Sequence, residues 1–485
     1  MCYLYMHSGK DIIGKISEFY KSSQKSDIIK IEKLEQAGSE RIYFRVYDID
    51  KSTAIVVYNP NAKENETFIY YTKTFLKLKL NVPEIYAVSK DKLMYILQDL
   101  GDIDLLELLE KNRNGKTIPE NILKLYKESI SQLVKFQITG HKNIDYSKAF
   151  SIAEFNTDAI LFDLNYFKYY FLNRSKIKYD EQKLHDDFIK FAGDIDKIEN
   201  KYFMFRDFQA RNIMIFNNQA YFIDYQGGRK GAMHYDIASL LYQAKAQIPT
   251  EIKDVLIDFY ISEVQKLINI DKKIFKTQFY DFAFLRVLQT LGAYGNRGLI
   301  ERKAYFIQSI PYAIKGLKYL VEKHNVADKY PELKAVCKKI IGSEKFTKVQ
   351  DDIFTIRINS FSYKKNIPED ATNHGGGFVF DCRGIHNPGR YPEYQNKTGQ
   401  DTEVIEFFRK NTKIDDFIKD VYKIVEYNIK DYLERDFKSL MINFGCTGGQ
   451  HRSVYCAEEI AKKIKQNYPV KIILNHIEQS ICREM

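Results

Sequence analysis

The chain has 485 residues, 45% of them hydrophobic and 28% charged, and contains no run of about 18 apolar residues of the kind a membrane-spanning helix needs. Its 74 Lys and Arg against 64 Asp and Glu give a net charge of +10, but the lysines are dispersed, which reads as a mixed solvated surface and not a nucleic-acid footprint. Its 6 scattered cysteines form no CxxC pair, which argues against a disulfide framework and a structural zinc site, and MCYLYMHSGK lacks the basic flank and cleavage site of a secretory signal, so a cytoplasmic protein of roughly two to four domains is expected.

Residues 11 to 30 carry Ile12, Ile13, Ile16, Phe19 and Tyr20 at helical spacing, which predicts an amphipathic helix. Two strand-like runs follow, IEKLEQAGSERIYFRVYD and TAIVVYNP. The first is broken by Ala37-Gly38-Ser39-Glu40, which is either a plain hairpin turn or a cover over nucleotide phosphates with Gly38 and Ser39 as binding residues. ENETFIYYTKTFLKLKL predicts a helix ending near Leu80, with a strand from Val82-Pro83; Glu64 and Glu66 near its start either assist nucleotide or metal placement or are simply solvated. LMYILQDLGDIDLLELL reads as strand, polar turn and helix, either an ordinary strand end or a segment that hinges two lobes, with backbone groups from Gln98 to Leu100 available to an adenine. Residues 121 to 200 are expected to be helical throughout, and the aromatic residues Phe162, Phe167, Tyr169 and Tyr170 read as core or groove wall.

The stretch FMFRDFQARNIMIFNNQAYFIDYQGG, Phe203 to Gly228, carries the chemistry. IMIF and AYFI pair as antiparallel strands around Asn217-Asn218-Gln219. Asn212 enters the first strand and Asp224 leaves the second, so they meet at the open end with Asp207 on the loop before them. Phosphoryl transfer needs a group that orients or deprotonates the attacking hydroxyl, and oxygen ligands that hold Mg²⁺ against the nucleotide phosphates. Asp207 suits the first task and Asn212 with Asp224 the second, while Arg211 can neutralise phosphate or brace the loop. Residues 229 to 335 are expected to continue as helices, with Asp236 as the N-cap of YDIASLLYQA.

From Gly342 to Asp352 the chain is polar and charged, and a domain boundary is expected there. DIFTIRINSFS and GGGFVFDC then read as strands, residues 402 to 410 and 414 to 434 as helices, SLMINFGCTGGQHRSVYCAEEIAKKI as strand, glycine-rich loop and helix, and VKIILNHIE as a last strand. The loop from Cys446 to Ser453 combines backbone N–H donors, a helix N-terminus and Arg452, a combination that suits an anion, phosphate above all. Cys446, five residues, then Arg452-Ser453 is also the spacing of cysteine phosphatases, whose thiolate attacks phosphorus.

RDFQARNIMI with IDYQGGRKGAMHYDIASLL resembles the aminoglycoside phosphotransferase-like kinases, and within them the anomeric sugar kinases of cell-wall recycling that act on N-acetylmuramate and N-acetylglucosamine. The resemblance spans roughly residues 30 to 335, with EQAGSERIYFRV similar to the phosphate-covering turn, YNP to the end of the third strand and ILQDLGD to the hinge. It implies a bilobal protein-kinase-like fold, ATP and Mg²⁺ as cofactors, Asp207 as catalytic base, Asn212 and Asp224 as metal ligands, and Asp236 as a brace for the loop. Two positions depart from the pattern: Phe205 or Arg206 stands where many relatives have His, and the usual strand lysine is not evident in AIVVYNP.

FVFDCRGIHNPGRYPEYQNKTGQDTEVIEFF and FGCTGGQHRSVYCAEEIA resemble the C-terminal domain of the RapZ family of RNase adapters, over about residues 352 to 476. The family's domain binds glucosamine-6-phosphate, so the resemblance implies an aminosugar-phosphate site made by Asp381, Arg383 and Asn387 with Cys446, Thr447, Gly448, Gly449, His451 and Arg452. The family's basic RNA-binding tail has no counterpart in NHIEQSICREM, which argues against RNA as a partner. The expected layout is an α/β and α+β multidomain chain: kinase N-lobe with its N-terminal helix (1–98), helical C-lobe with the catalytic hairpin (99–341), linker (342–352) and RapZ-like α/β domain (353–485). The expected function is an ATP- and Mg²⁺-dependent kinase for a sugar, an amino sugar at its anomeric hydroxyl, whose C-terminal domain binds a phosphorylated amino sugar. A nucleotide- and sugar-phosphate-sensing adapter that binds RNA or protein is the alternative, and a phosphatase working through Cys446 is the third reading.

Overall fold

Helix α1 (Cys2–Gln24) stops short of a β-branched run that forms strand β1 (Ile28–Lys33). The computed structural model describes residues 2–34, 41–113, 115, 117–199, 201–301, 304–347, 354–370, 377–435, 437–468 and 470–485. The helix expected to reach residue 30 therefore ends earlier, because Ile28 to Lys33 are claimed by an antiparallel ladder with strand β2 (Ile42–Asp48). Strand β3 (Thr53–Tyr58), helix α2 (Ala62–Lys77) and strands β4 (Ile85–Val88) and β5 (Met94–Gln98) complete a five-stranded antiparallel sheet in the order β1-β2-β3-β5-β4. Ile16 and Tyr20 of α1 pack on Phe44, Val46, Val56 and Ile96 of this sheet. Helix α2 starts where the Asn61 side chain accepts the Glu64 N–H, and it buries Phe68, Tyr71 and Phe75.

Past the hinge at residues 99–104 the chain turns helical: α3 (Leu105–Asn112), α4 (Glu120–Lys135), α5 (Thr157–Phe167) and α6 (Glu181–Asp196). Strands β6 (Lys201–Met204), β7 (Ile213–Phe216), β8 (Gln219–Phe222) and β9 (Arg229–Ala232) form two small ribbons, β6 with β9 and β7 with β8. The segment expected to be helical from residue 229 thus opens as a strand. Gly231 permits the β6–β9 pairing, since a Cβ there would come within 2.9 Å of Met204 Sδ. Helices α7 (His234–Leu241), α8 (Thr250–Gln265), α9 (Lys272–Tyr294), α10 (Ala304–Lys323), α11 (Pro331–Ile341) and α12 (Glu344–Thr347) follow. A sheet lobe with the two helices α1 and α2, a hinge, and a helical lobe carrying a short hairpin make up the bilobal protein-kinase-like fold.

The chain divides into one compact unit of Met1–Ala293 with Ser309–Thr347 and a second of Tyr294–Gln308 with Lys348–Met485. In the second, β10 (Thr355–Ser362), β11 (Phe378–Asp381), α13 (Thr402–Asn411), α14 (Ile414–Glu434), β12 (Ser439–Cys446), α15 (Arg452–Asn467), β13 (Lys471–His476) and β14 (Ile481–Glu484) build an α/β layer. Its sheet order is β11-β12-β10-β13-β14; the first four strands are parallel and β14, which the sequence did not suggest, is antiparallel. Every residue of β12 is buried, as expected for a parallel strand covered on both faces. The parallel strands deliver their carboxyl ends, including Asp381, Ser362 and Cys446, to one edge, where open α/β sheets bind ligands. Among the described residues no helix is long and apolar enough to cross a membrane.

Candidate functional site

The β7–β8 hairpin closes through Asn217 and Asn218, both left-handed at φ 51° and 61°, and Phe216 pairs with Gln219. This is the twist-matched two-residue turn that asparagine tolerates, so Gln219 belongs to the strand and not to the turn. Beyond the ladder, the Ile223 N–H donates to the Asn212 carbonyl at 3.1 Å, which brings Asn212 and Asp224 together: Asn212 Nδ2 lies 3.4 Å from Asp224 Oδ2. The same Nδ2 donates to the Asp207 carbonyl at 2.8 Å, so the amide oxygen is the atom left to meet a cation. Hinge and hairpin are joined, because the Ile215 N–H donates to the Ile103 carbonyl at 2.8 Å. Arg211 is half-buried in the short turn Ala210–Asn212.

Asp236 does not cap α7. It sits in the helix's first turn, wholly buried, and its carboxylate accepts the Phe205 N–H at 2.7 Å, the Arg206 N–H at 2.9 Å and Gln137 Nε2 at 3.1 Å. Burial raises its pKa to about 7 against the opposing pull of those donors. The backbone it grips is left-handed at Arg206, φ 81°, a conformation that costs a non-glycine residue about 1–2 kcal/mol. Arg206 holds that shape through two hydrogen bonds to Asp163, 2.7 and 2.8 Å, and one to the Tyr235 hydroxyl at 2.7 Å. Phe205 packs edge-on against Phe136, Phe208 and Tyr225. The site thus has no polar demand at position 205; that space is core.

Asp207 follows on this clamped loop, its side chain 46% exposed, with Arg286 Nη2 of α9 at 3.6 Å. Arg286 is itself oriented by Ser239, whose hydroxyl accepts its Nε at 2.9 Å. Arg286 is not among the residues expected from sequence; an arginine inside the apolar helix FAFLRVLQTLGAYG was the available signal. On the sheet side, Asp224 accepts Gln226 Nε2 at 2.7 Å and faces Arg41 Nη1 at 3.5 Å. Arg41 Nη2 in turn donates to Glu64 at 2.7 Å, which singles out Glu64 over Glu66 as the acidic residue turned to the site. Gly38 and Ser39 lie outside the described residues. Gln98 ends β5 with its N–H given to the Glu84 carbonyl at 2.9 Å, and Leu100 is buried just beyond it.

Among the described residues no cluster of three or more His, Cys, Asp and Glu forms a metal cage. One carboxylate and one amide oxygen are a donor set that suits Mg²⁺, a hard ion that takes its remaining ligands from phosphates and water.

In the second unit, Cys446 closes β12 and its Sγ lies 3.1 Å from Ser453 Oγ and accepts the Gly449 N–H at 3.2 Å. Burial pushes the thiol up, but the Ser453 and backbone hydrogen bonds and the Arg452 charge outweigh it and leave the pKa below its usual value. Gly449 is left-handed at φ 67°, and a Cβ there would fall 2.3 Å from Glu478 Cγ, so the loop requires glycine. Arg452 joins the two motifs: Nη1 donates to the Arg383 and Ile385 carbonyls, both at 2.9 Å, and Nη2 to Thr447 Oγ1 at 3.3 Å. His451 Nε2 bonds the Tyr394 carbonyl at 2.9 Å. Arg383 is held by Asp381 at 2.6 and 3.0 Å and stacks 4.1 Å over Tyr363. Asn387 has a structural task, its side chain accepting the Gly389 N–H at 3.2 Å. Thr447 and Gly448 are exposed at the tip.

Behind this edge runs a buried chain unforeseen from sequence. Ser360 Oγ meets His476 Nδ1 at 2.9 Å, and His476 Nε2 meets Glu458 at 3.0 Å. In the neighbouring sheet row Asn359 Nδ2 donates to Asn443 Oδ1 at 2.8 Å. These buried side chains tie β10 to β12 and β13 and, through Glu458, to α15.

Residues 354–479 match the family model of the RapZ C-terminal domain, which bears out the likeness of both C-terminal motifs. A nucleotide-binding protein of Thermotoga neapolitana is 40% identical over 112 residues, 23% of this chain and 38% of that one. A nucleotide-binding protein of a Psychrobacter species is 30% identical over 151 residues, 31% and 44% of the two chains. The chain therefore spans less than half the length of these curated relatives. Among solved structures, a choline kinase from Cryptosporidium parvum is similar at 12% identity with a TM-score of 0.45, covering 68% of this chain and 100% of that one.

Proposed function

We propose that the chain is an ATP- and Mg²⁺-dependent phosphotransferase acting on a sugar, an amino sugar at its anomeric hydroxyl, with a C-terminal domain that binds a phosphorylated amino sugar. One observation carries the first half: Asp207, half-exposed on a loop clamped by Asp236, stands beside an Asn212–Asp224 pair at 3.4 Å. In this reading Asp207 receives the proton of the acceptor hydroxyl and Arg286 orients it, while Asn212 and Asp224 hold the metal. Mg²⁺ would screen the phosphate charge that builds up during transfer. The hinge backbone from Gln98 to Leu100, Arg211, and Gly38 with Ser39 are assigned to the nucleotide. The functional division follows the lobes: 1–98, 99–341, a linker at 342–352 and the sugar-phosphate domain at 353–485. The nest around Cys446 to Arg452, with Asp381 and Arg383 beside it, supports the second half, as does its match to the RapZ C-terminal domain.

The test is turnover of a panel of amino sugars and sugars with ATP and Mg²⁺. Phosphosugar should form, and Asp207→Asn should lower kcat by roughly a thousandfold or more while leaving the fold intact. No transfer to any sugar hydroxyl sinks the reading. The lowered Cys446 pKa and its contact with Ser453 favour a second reading, phosphomonoester hydrolysis at the C-terminal loop. Hydrolysis of p-nitrophenyl phosphate that disappears in Cys446→Ser would establish it.

A further inference from the structure

Strand β3 brings no lysine to the site. It ends at Tyr58, and the next residue, Asn59, offers a neutral amide whose Nδ2 donates to Glu64 Oε2 at 2.9 Å. The cation facing Glu64 comes from the neighbouring strand instead. Ile42 pairs with Tyr58, so Arg41, one residue before β2, stands beside the end of β3. Its Nη2 holds Glu64 Oε1 at 2.7 Å, while Nη1 lies 3.2 Å from the Tyr43 hydroxyl and 3.5 Å from Asp224 Oδ1. The Arg41 side chain is 6% exposed. A buried guanidinium shared by a carboxylate of α2 and one of the hairpin adds little net stability over a well-packed apolar core. What it does provide is a fixed fork of N–H donors beside Asp224, and a guanidinium matches phosphate geometry in a way an ammonium does not.

Resting on the phosphotransferase reading, we propose that Arg41 is the residue that grips the nucleotide's phosphates, delivered from β2 in place of a β3 lysine, with Glu64 as its anchor and Asn59 as the neutral partner that keeps Glu64 in place. Glu64 can hold one terminal nitrogen of Arg41 while the other remains beside Asp224, the proposed metal ligand. The arrangement accounts for the lysine-free AIVVYNP without calling the site inactive.

The experiment measures ATP and adenosine affinity, with Mg²⁺, alongside sugar turnover in the full chain and its variants. Arg41→Gln should weaken ATP about 10- to 100-fold and leave adenosine within about twofold, because the lost contacts are charge-assisted bonds to phosphate. Adding Asn59→Lys to Arg41→Gln returns a cation to Glu64 from β3 and should recover at least about tenfold of the ATP affinity. A structural ion pair alone would instead restore the melting temperature and leave ATP binding weak, and that outcome overturns the proposal. ATP binding and turnover unchanged in folded Arg41→Gln also overturn it, with the phosphotransferase reading left standing. A native chain that binds ATP no better than adenosine overturns both. Should Arg41→Gln not fold, Arg41→Lys decides: the same charge without the fork should weaken ATP several-fold, and unchanged affinity overturns the assignment.

Discussion

At the scale of single residues, the loop before the hairpin is held by two buried acids with different tasks. Asp163 neutralises Arg206, and Asp236 gathers the backbone N–H groups that set Asp207 in place. Removing Arg206 strands a buried carboxylate. Arg206→Met is therefore expected to cost about 3–5 kcal/mol in urea unfolding, and the double variant Arg206→Met/Asp163→Leu to recover most of that loss. Asp236 makes a prediction in pH. Its folded pKa is raised by burial to about 7, well above the unfolded value of about 3.9, so between those values the folded chain keeps a proton that the unfolded chain has released. Its contribution to stability is full at low pH, falls as pH rises through that window and is flat above it, by at most about 4 kcal/mol at 1.36 kcal/mol per pH unit. The difference between native and Asp236→Asn unfolding free energies, measured from pH 4 to 8, should show that slope.

At the scale of elements, the four-residue strands β7 and β8 hold Asn212 beside Asp224 because a two-residue turn fixes their register. Asn217 and Asn218 both sit in the left-handed region, which a β-branched residue resists by about 1–2 kcal/mol. Asn217→Val with Asn218→Val should lower stability by about 2–4 kcal/mol in denaturant titration and weaken Mg²⁺-dependent nucleotide binding, since a slipped hairpin parts Asn212 from Asp224. Asn218→Gly, which meets no such strain, should leave both nearly unchanged. In the second unit the equivalent element is the β12 loop, where Gly449 allows the turn and Arg452 ties it to the Arg383–Ile385 loop. The two motifs, far apart in the chain, are tied together through that arginine.

At the scale of the whole molecule, the chain joins a protein-kinase-like fold to a domain that matches the RapZ C-terminal model, and the proposed function assigns each its own ligand. Calorimetry on the full chain should give one nucleotide site and one glucosamine-6-phosphate site per chain. Asp224→Asn should lose the Mg²⁺-nucleotide signal and keep the phosphosugar signal, and Arg452→Met should do the reverse; loss of both in either variant would contradict separate sites. The local geometry of both segments was legible in the residues alone. Apolar runs around Asn217-Asn218, the spacing of Asp207, Asn212 and Asp224, and the glycines before Arg452 are local patterns, and local backbone preference is written in neighbouring residues. The α1–β1 border, strand β9 and strand β14 were not, because each exists through pairing with a distant partner. Asp236 shows the same limit at one residue: its place before an apolar helix reads as a cap, while its three donors come from residues 137, 205 and 206. By itself the sequence determined that Asn212 and Asp224 meet at the open end of a hairpin, with Asp207 on the loop before them. Only the tertiary structure decided that Arg41, Glu64 and Arg286 surround it, since buried charges find their partners across the fold and leave no periodic trace along the chain.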